Sequence, residues 1–555
     1  LLISGTGEMW SYEAASAPWK DFTVSNVVIQ SGVTSIGAYA FYNNSDLEGA
    51  TIPASVVRIG KSAFENCECF FSVTYYGSED SWSEIDIDEG NDALTDADIE
   101  YDELEQDSGT CGENVEWKVE NEVLTISGSG DMKDYGEIEA PWSSFYFKKV
   151  IIQDGVTGIG DNAFNNCESV KSISIANSVK RIGECAFYGC RISGVLTLPE
   201  NLEVLGKGAF QGIGATSVNI SASNASYCTV DGVLFSKDMT KVILYPDGKD
   251  SEAYTIPDTV TEIGDGAFYN AVLVNVTLPK GLIRIGAEAF AGCQCLTSIT
   301  IPESLKSVGE SAFSTYDDEL KEVRISNLRA WCDITFEDYS ANPLLPAEKL
   351  YLNDKLITEL VIPEGVTKIG DYAFTGNNFK SVVIPTGVTS IGQNAFASSV
   401  ELTSVSLPDS LTNISNHAFY YCTSLPEITI PDSVTEMGET VFAECIHLTE
   451  VTLSKNLKCI NDYTFSDCAE LRQITIPKNV TEVGSCAFYG CNKLSQVQYA
   501  GSYVDWEAIT IEDENECLTD AEIIFGEEVA GKTNIATCSI TLEQDSYLYD
   551  GEEKT

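Results

Sequence analysis

Two histidines, His417 and His447, serve a chain of 555 residues. That scarcity removes most ways of building a nucleophilic or general-base site, because a Ser-His or Cys-His pair would have to use one of them. Basic residues are also few: 32 Lys plus Arg against 85 Asp plus Glu leave a formal charge of −53, which excludes nucleic acid and anionic membrane surfaces as partners. No C-x-x-C pair occurs, and the two C-x-C pairs, Cys67 with Cys69 and Cys293 with Cys295, do not make a zinc site. Neither a P-loop nor a dinucleotide glycine fingerprint is present. No apolar run approaches the roughly 20 residues a helix needs to span a bilayer, so no membrane insertion is expected. Nothing singles out a pair of carboxylates, and the expectation is a protein that is not an enzyme and has no metal and no cofactor.

What the chain has instead is one phrase written fourteen times, apolar-Gly-x-x-Ala-Phe, ending at Phe41, Phe64, Phe164 and so on to Phe488. Inside a run the phenylalanines fall 23 residues apart, with two gaps of 22, as between Phe268 and Phe290. A period in this range marks a solenoid of leucine-rich type, in which each unit buries its apolar face by stacking on the next.

Ahead of the phrase lies an alternating apolar stretch, as in Leu471, Ile474 and Ile476, which predicts a short strand with one buried face. Ten of the sixteen prolines, Pro302 and Pro477 among them, follow that strand directly, where the ladder no longer needs the N–H that proline lacks. The glycine position is filled by Ser415 and Asn461 in two copies, and Gly, Ser and Asn share a preference for the helix N-cap. Half the copies place an acid immediately after it, such as Asp161 or Asp265, where a helix dipole would favour it. The expectation is a cap followed by one or two helical turns carrying Ala-Phe inward. Eight of the eighteen cysteines lie three residues after the Phe: Cys67, Cys167, Cys190, Cys293, Cys422, Cys445, Cys468 and Cys491. Asn44 and Asn377 hold that place in other copies. Stacked about 5 Å apart with parallel Cβ vectors, such cysteines are badly placed for disulfides and are expected to be free thiols.

The unit Leu-x-x-Ile-Thr-Ile-Pro-x-x-Val-Thr-x-Ile-Gly-x-x-Ala-Phe-x-x-Cys resembles the BspA-type, or Treponema-type, leucine-rich repeat of bacterial surface proteins, over most of residues 27 to 500. Residues 227 to 246 resemble the longer, hairpin-bearing repeat of that family, and the Cys/Asn position resembles its buried ladder. The resemblance implies an α/β leucine-rich-repeat solenoid: a curved stack of about 23-residue strand-turn-short-helix units with irregular capping repeats. It also implies a secreted or cell-surface, extracellular protein that adheres to host or neighbour surfaces without catalysis.

Three stretches break the beat and resemble one another, around Trp82, Trp331 and Trp506, each followed three residues on by an Ile. They read as irregular units or caps. A second duplicated block, Ile3 to Met9 with Ala17-Pro18-Trp19, recurs as Ile126 to Met132 with Ala140-Pro141-Trp142, and opens a run. The expected organisation is a short module over 1–105, a main solenoid with an N-terminal cap hairpin over 106–528, and the truncated start of an immunoglobulin-like domain over 529–555, in a fragment of a longer protein. Residues 77 to 107 hold fourteen acids and no base. Asp86-x-Asp88-x-Gly90 suggests calcium, but the twelfth position of an EF-hand-like loop is Ala97, and a solvated acidic stretch is the preferred reading.

The expected ligand surface is the outward face of the stacked strands: Ser298, Thr300, Ser404, Ser406, Glu427, Thr429, Glu450, Thr452, Gln473, Thr475, Gln496 and Gln498. These hydroxyl, amide and acidic groups in register would suit an extended extracellular protein or glycan, although Ser and Thr also simply favour exposed strand positions. No aromatic platform marks a sugar site. The alternative function is a spacer presenting other domains, and the chain is expected to be a monomer.

Overall fold

The computed structural model describes residues 1–14, 16–20, 22–101, 107–136, 140–315 and 320–526. The immunoglobulin-like reading of 529–555, and Cys538 with it, lie outside the described residues. Two compact units are formed, Leu1–Arg324 and the chain from Ile325 onward.

The repeat around Phe442 shows how each unit is built. Strand Glu427–Thr429 exposes Glu427 and Thr429 and buries Ile428. Pro431 follows, and its carbonyl accepts the Val434 N–H at 3.0 Å, turning the chain. A second short strand, Glu436–Met437, buries Met437. Ile430, Val434, Val441, Phe442, Cys445 and Leu448 complete the buried layer. Consecutive copies pair in parallel, Glu427 with Glu450 and Glu436 with Asn413, so the two strands of each unit build two separate parallel sheets. The phenylalanines stack into a spine, with ring centroids 5.6 Å apart for Phe419 and Phe442 and 5.8 Å for Phe442 and Phe465.

The expected helical turns are not formed at the Gly-x-x-Ala-Phe phrase; consecutive tight turns stand there instead. His417, Phe419 and Tyr421 each donate an N–H to the next repeat, to the carbonyls of Glu439, Val441 and Ala443, at 3.0, 3.0 and 2.9 Å. The intervening N–H groups of Ala418, Tyr420 and Cys422 close turns within their own repeat, onto Ser415, His417 and Phe419. A helix would consume all these donors internally. Alternation sends half of them along the stack, and it requires His417 and Tyr421 to adopt the left-handed conformation, at φ 58° and 57°. Such a conformation costs about 1 kcal/mol or more for a non-glycine residue, which the inter-repeat hydrogen bonds offset.

The glycine therefore has a different role from an N-cap. A Cβ on Gly438 would lie 2.4 Å from the Asn416 backbone nitrogen, and one on Gly206 would lie 2.4 Å from that of Glu184. At these two glycines the backbones of adjacent repeats approach so closely that a side chain would force one of them to shift. Where Asn461 replaces glycine, its amide donates to the Met437 carbonyl at 2.5 Å. The acid after the glycine likewise serves the stack rather than a dipole. Asp161 Oδ1 accepts the Glu184 N–H, and Asp462 Oδ1 the Ser485 N–H, each at 2.9 Å.

Within the first unit, apolar residues from Val24 to Leu94 and from Cys111 to Leu244 form separate cores. The second of these opens on an antiparallel hairpin, Val115–Glu120 with Val123–Gly128. Residues 227 to 246 do form a hairpin, Tyr227–Val230 against Val233–Ser236. Its two-residue turn, Asp231-Gly232, has both φ values positive, 51° and 78°, which matches the right-handed twist of the strands.

The tryptophan units divide into two kinds. Trp82 packs edge-on against Tyr75 and Trp506 against Tyr499, at 4.9 and 5.3 Å. Each is followed by a buried asparagine that finishes the turn ladder. Asn91 accepts the Phe64 N–H at 3.0 Å and donates to Gly60, and Asn515 accepts the Phe488 N–H at 3.0 Å and donates to Gly484. Trp331 acts at the other end of a repeat. Its indole donates to the Ala373 carbonyl at 2.9 Å, as Trp19 does to Ala40 and Trp142 to Ala163, both at 2.8 Å. These three indoles supply the hydrogen bond that a preceding Phe N–H would make.

Candidate functional site

Eight of the twelve expected side chains share one sheet. Its strands run in register from Glu427 through Glu450, Gln473 and Gln496 to Glu522, and from Thr429 through Thr452, Thr475 and Gln498 to Ile524. Glu427, Glu450 and Thr452 are exposed, Gln473 and Gln496 are half-buried, and Ile428, Val451, Ile474 and Val497 lie beneath them. Ser404 and Ser406 belong to a neighbouring sheet, paired with Ser381 and Val383. Pro426 separates the two. At the equivalent position Thr403 donates to Lys380 and Thr449 to Pro426, at 2.9 and 2.8 Å, but Pro426 has no N–H to give. Ser298 and Thr300 lie on strand Ser298–Ile301 of the first unit, with Ser298 opposite Asn275. The shared sheet thus offers two rows of hydroxyl, amide and carboxylate groups about 4.8 Å apart, able to hydrogen-bond an extended polymer.

The second sheet was not singled out from sequence, and it differs between the units. In the first, arginines at the outward position neutralise acids of neighbouring repeats. Arg181 reaches Asp161 at 2.6 Å and Asp134 at 3.3 Å, and Arg284 reaches Glu262 at 2.9 Å and Asp265 at 3.4 Å. Arg58 lies against Asp88 at 3.1 Å and Asp86 at 3.9 Å, so the two carboxylates considered for calcium are both directed at a guanidinium. In the second unit the same row reads Lys368, Ser390, Asn413 and Glu436. Above it lies a groove of about 610 Å³.

The cysteine ladder forms as expected. Cys67, Cys190, Cys293, Cys422, Cys445, Cys468 and Cys491 each donate to the carbonyl of the preceding repeat's phenylalanine, at 3.0 to 3.3 Å. Asn377 and Ser399 sit at the same place but donate to the phenylalanine carbonyl of their own repeat, Phe374 and Phe396. All eight ladder cysteines are free thiols. Burial pushes those of Cys293, Cys445 and Cys491 up to about 12, which makes them poor nucleophiles. His447 takes no part in a Cys-His pair with Cys445: its Nδ1 lies 2.7 Å from the Thr423 carbonyl, while the Cys445 thiol serves Phe419.

Stacked parallel strands, an aromatic spine and a buried thiol ladder define a leucine-rich-repeat solenoid. The chain belongs to the BspA-type leucine-rich repeat family, whose model matches residues 18–84, 142–242, 247–342, 347–469 and 389–510. Among solved structures it is similar to a leucine-rich repeat protein from Eubacterium ventriosum, at 22% identity, covering 61% of this chain and 94% of that one with a TM-score of 0.40. It is also similar to one from Bacteroides ovatus, at 21% identity over 75% and 98% of the two chains with a TM-score of 0.35. A leucine-rich cell-surface protein from Faecalibacterium prausnitzii is 20% identical over 91% and 86%, with a TM-score of 0.23. No curated protein matches the sequence. Among the described residues, no helix is long and apolar enough to cross a membrane.

Proposed function

We propose that the chain is a non-catalytic binding scaffold of an extracellular bacterial surface protein, recognising an extended protein or glycan through the outer sheet that begins at Glu427–Thr429. The observation that carries this reading is the in-register alignment of eight hydrogen-bonding side chains across four adjacent strands. Replacing Thr429, Thr452 and Thr475 together by Arg tests it. Exposed strand positions tolerate change within about 0.5 kcal/mol, so the triple variant should keep its circular dichroism while losing capture of cell-surface or matrix material. Undiminished capture by the folded variant would reject the sheet as the site. A second reading, a spacer that presents other domains, is favoured by the arginine rows of the first unit, which leave that face internally satisfied. Module boundaries at 105/106 and 528/529 belong to the same proposal, the first supported by the separate apolar cores on either side of it.

A further inference from the structure

We infer that the groove over the second sheet of the unit from Ile325 onward binds a neutral β-linked polysaccharide chain lying along the stack. Four successive repeats contribute Lys368, Asp371, Gln393, Asn413, Asn416 and Glu436 to its lining. Three contacts hold these side chains in place. Asp371 Oδ1 accepts the Gln393 N–H at 2.8 Å, Asn416 Oδ1 accepts the Glu439 N–H at 3.1 Å, and Asn413 Nδ2 donates to Glu436 at 3.3 Å. Among the described residues, the Lys368 ammonium and the Gln393 side-chain amide have no partner. In the first unit arginines close the equivalent row with ion pairs. Here the same row is left with polar groups that are oriented and available.

The chemistry of the lining selects the ligand class. Amides donate and accept, as sugar hydroxyls do, and acids and a base lie among them, so the groove is matched to neutral polyols rather than to one sign of charge. A polyanion is opposed by the charge of −53, and a cationic peptide would meet Lys368. Side-chain pockets for a peptide are also missing, because the apolar lining residues Ile414 and Met437 are buried. The stack repeats about every 4.8 Å, close to the advance of one ring in an extended β-linked pyranose chain and unlike the roughly 3.3 Å advance per residue of a peptide strand.

Calorimetric titration of the full chain with cellohexaose, xylohexaose and chitohexaose tests the inference. At least one should bind saturably. Lys368→Ala with Gln393→Ala, both at exposed positions, should weaken that binding by about tenfold or more. The Thr429, Thr452 and Thr475 to Arg variant should bind the same hexasaccharide as the parent does, which separates this site from the outer sheet. No saturable binding by any of the three, equal binding by the Lys368/Gln393 variant, or tighter binding of a decalysine peptide than of every hexasaccharide would each overturn it.

Discussion

The Cys445 thiol donates to the Phe419 carbonyl, 26 residues back in the chain, at 3.3 Å. Repeated along the stack, this contact gives a buried carbonyl, already accepting the Cys422 N–H, its second hydrogen bond, and it ties each repeat to the one before. Cys445→Val should therefore cost about 0.5–1.5 kcal/mol, the net worth of one hydrogen bond, since the carbonyl keeps the Cys422 N–H. Cys445→Asn, whose amide keeps a donor at this position, should cost less. Urea denaturation of the two variants measures the difference, and equal losses would show that volume rather than the hydrogen bond sets the requirement.

Alkaline pH should loosen the stack through the same thiols. Burial holds Cys293, Cys445 and Cys491 at about 12 against an ordinary value of 9.0, so in that window the folded chain keeps protons that the unfolded chain releases. Stability present below pH 9 is then lost as the pH rises towards 12. The parent should lose more stability between pH 8 and pH 10.5 than a variant in which Cys445 and Cys491 are both Asn. Parallel pH profiles would refute the linkage.

Gly438→Ala should destabilise by about 1–3 kcal/mol, because the new methyl would stand 2.4 Å from the Asn416 nitrogen and force adjacent repeats apart. Gly281 has nothing within 4 Å of its added Cβ, and its alanine variant should be neutral or slightly stabilising. Thermal unfolding of both distinguishes close backbone approach from a general need for flexibility.

Asn515 closes the turn ladder at 3% exposure. Asn515→Ala strands the Phe488 N–H, at about 1–3 kcal/mol for a buried group left unsatisfied, and takes one of two hydrogen bonds from the Gly484 carbonyl, which keeps the Ala487 N–H. Hydrogen exchange should quicken first at Phe488 and its neighbours, and Asn342, in another repeat, should keep its protection. Uniform quickening throughout the unit would argue for global rather than end-localised loosening.

Much of this was legible in the residues because the repeat is its own alignment. An invariant Phe every 22 or 23 residues, a cysteine three places later in eight copies and a proline after ten of the strands mark core, ladder and strand end. The glycine and the acid after it were visible but misassigned. Gly, Ser and Asn followed by Asp is also what a helix N-terminus looks like, and one repeat read alone cannot show that a neighbouring backbone lies 2.4 Å from the would-be Cβ. The three tryptophans grouped by their spacing to Ile likewise differ in a way spacing does not record: Trp82 and Trp506 close a ladder, while Trp331 opens one.

The sequence by itself determined the period, the buried layer and the family, since those follow from which side chains must leave water at a fixed interval. Tertiary structure alone decided where the hydrogen bonds go. Each repeat could satisfy its donors internally as a helix or pass alternate ones to its neighbour, and stacking settles the choice, because the strands and the phenylalanine spine already hold the next repeat's carbonyls within reach. The same stacking decides which variable residues become neighbours. Gln393 and Asn413 line one groove, and Thr429 and Thr475 one sheet, only because identical positions of successive repeats are brought side by side.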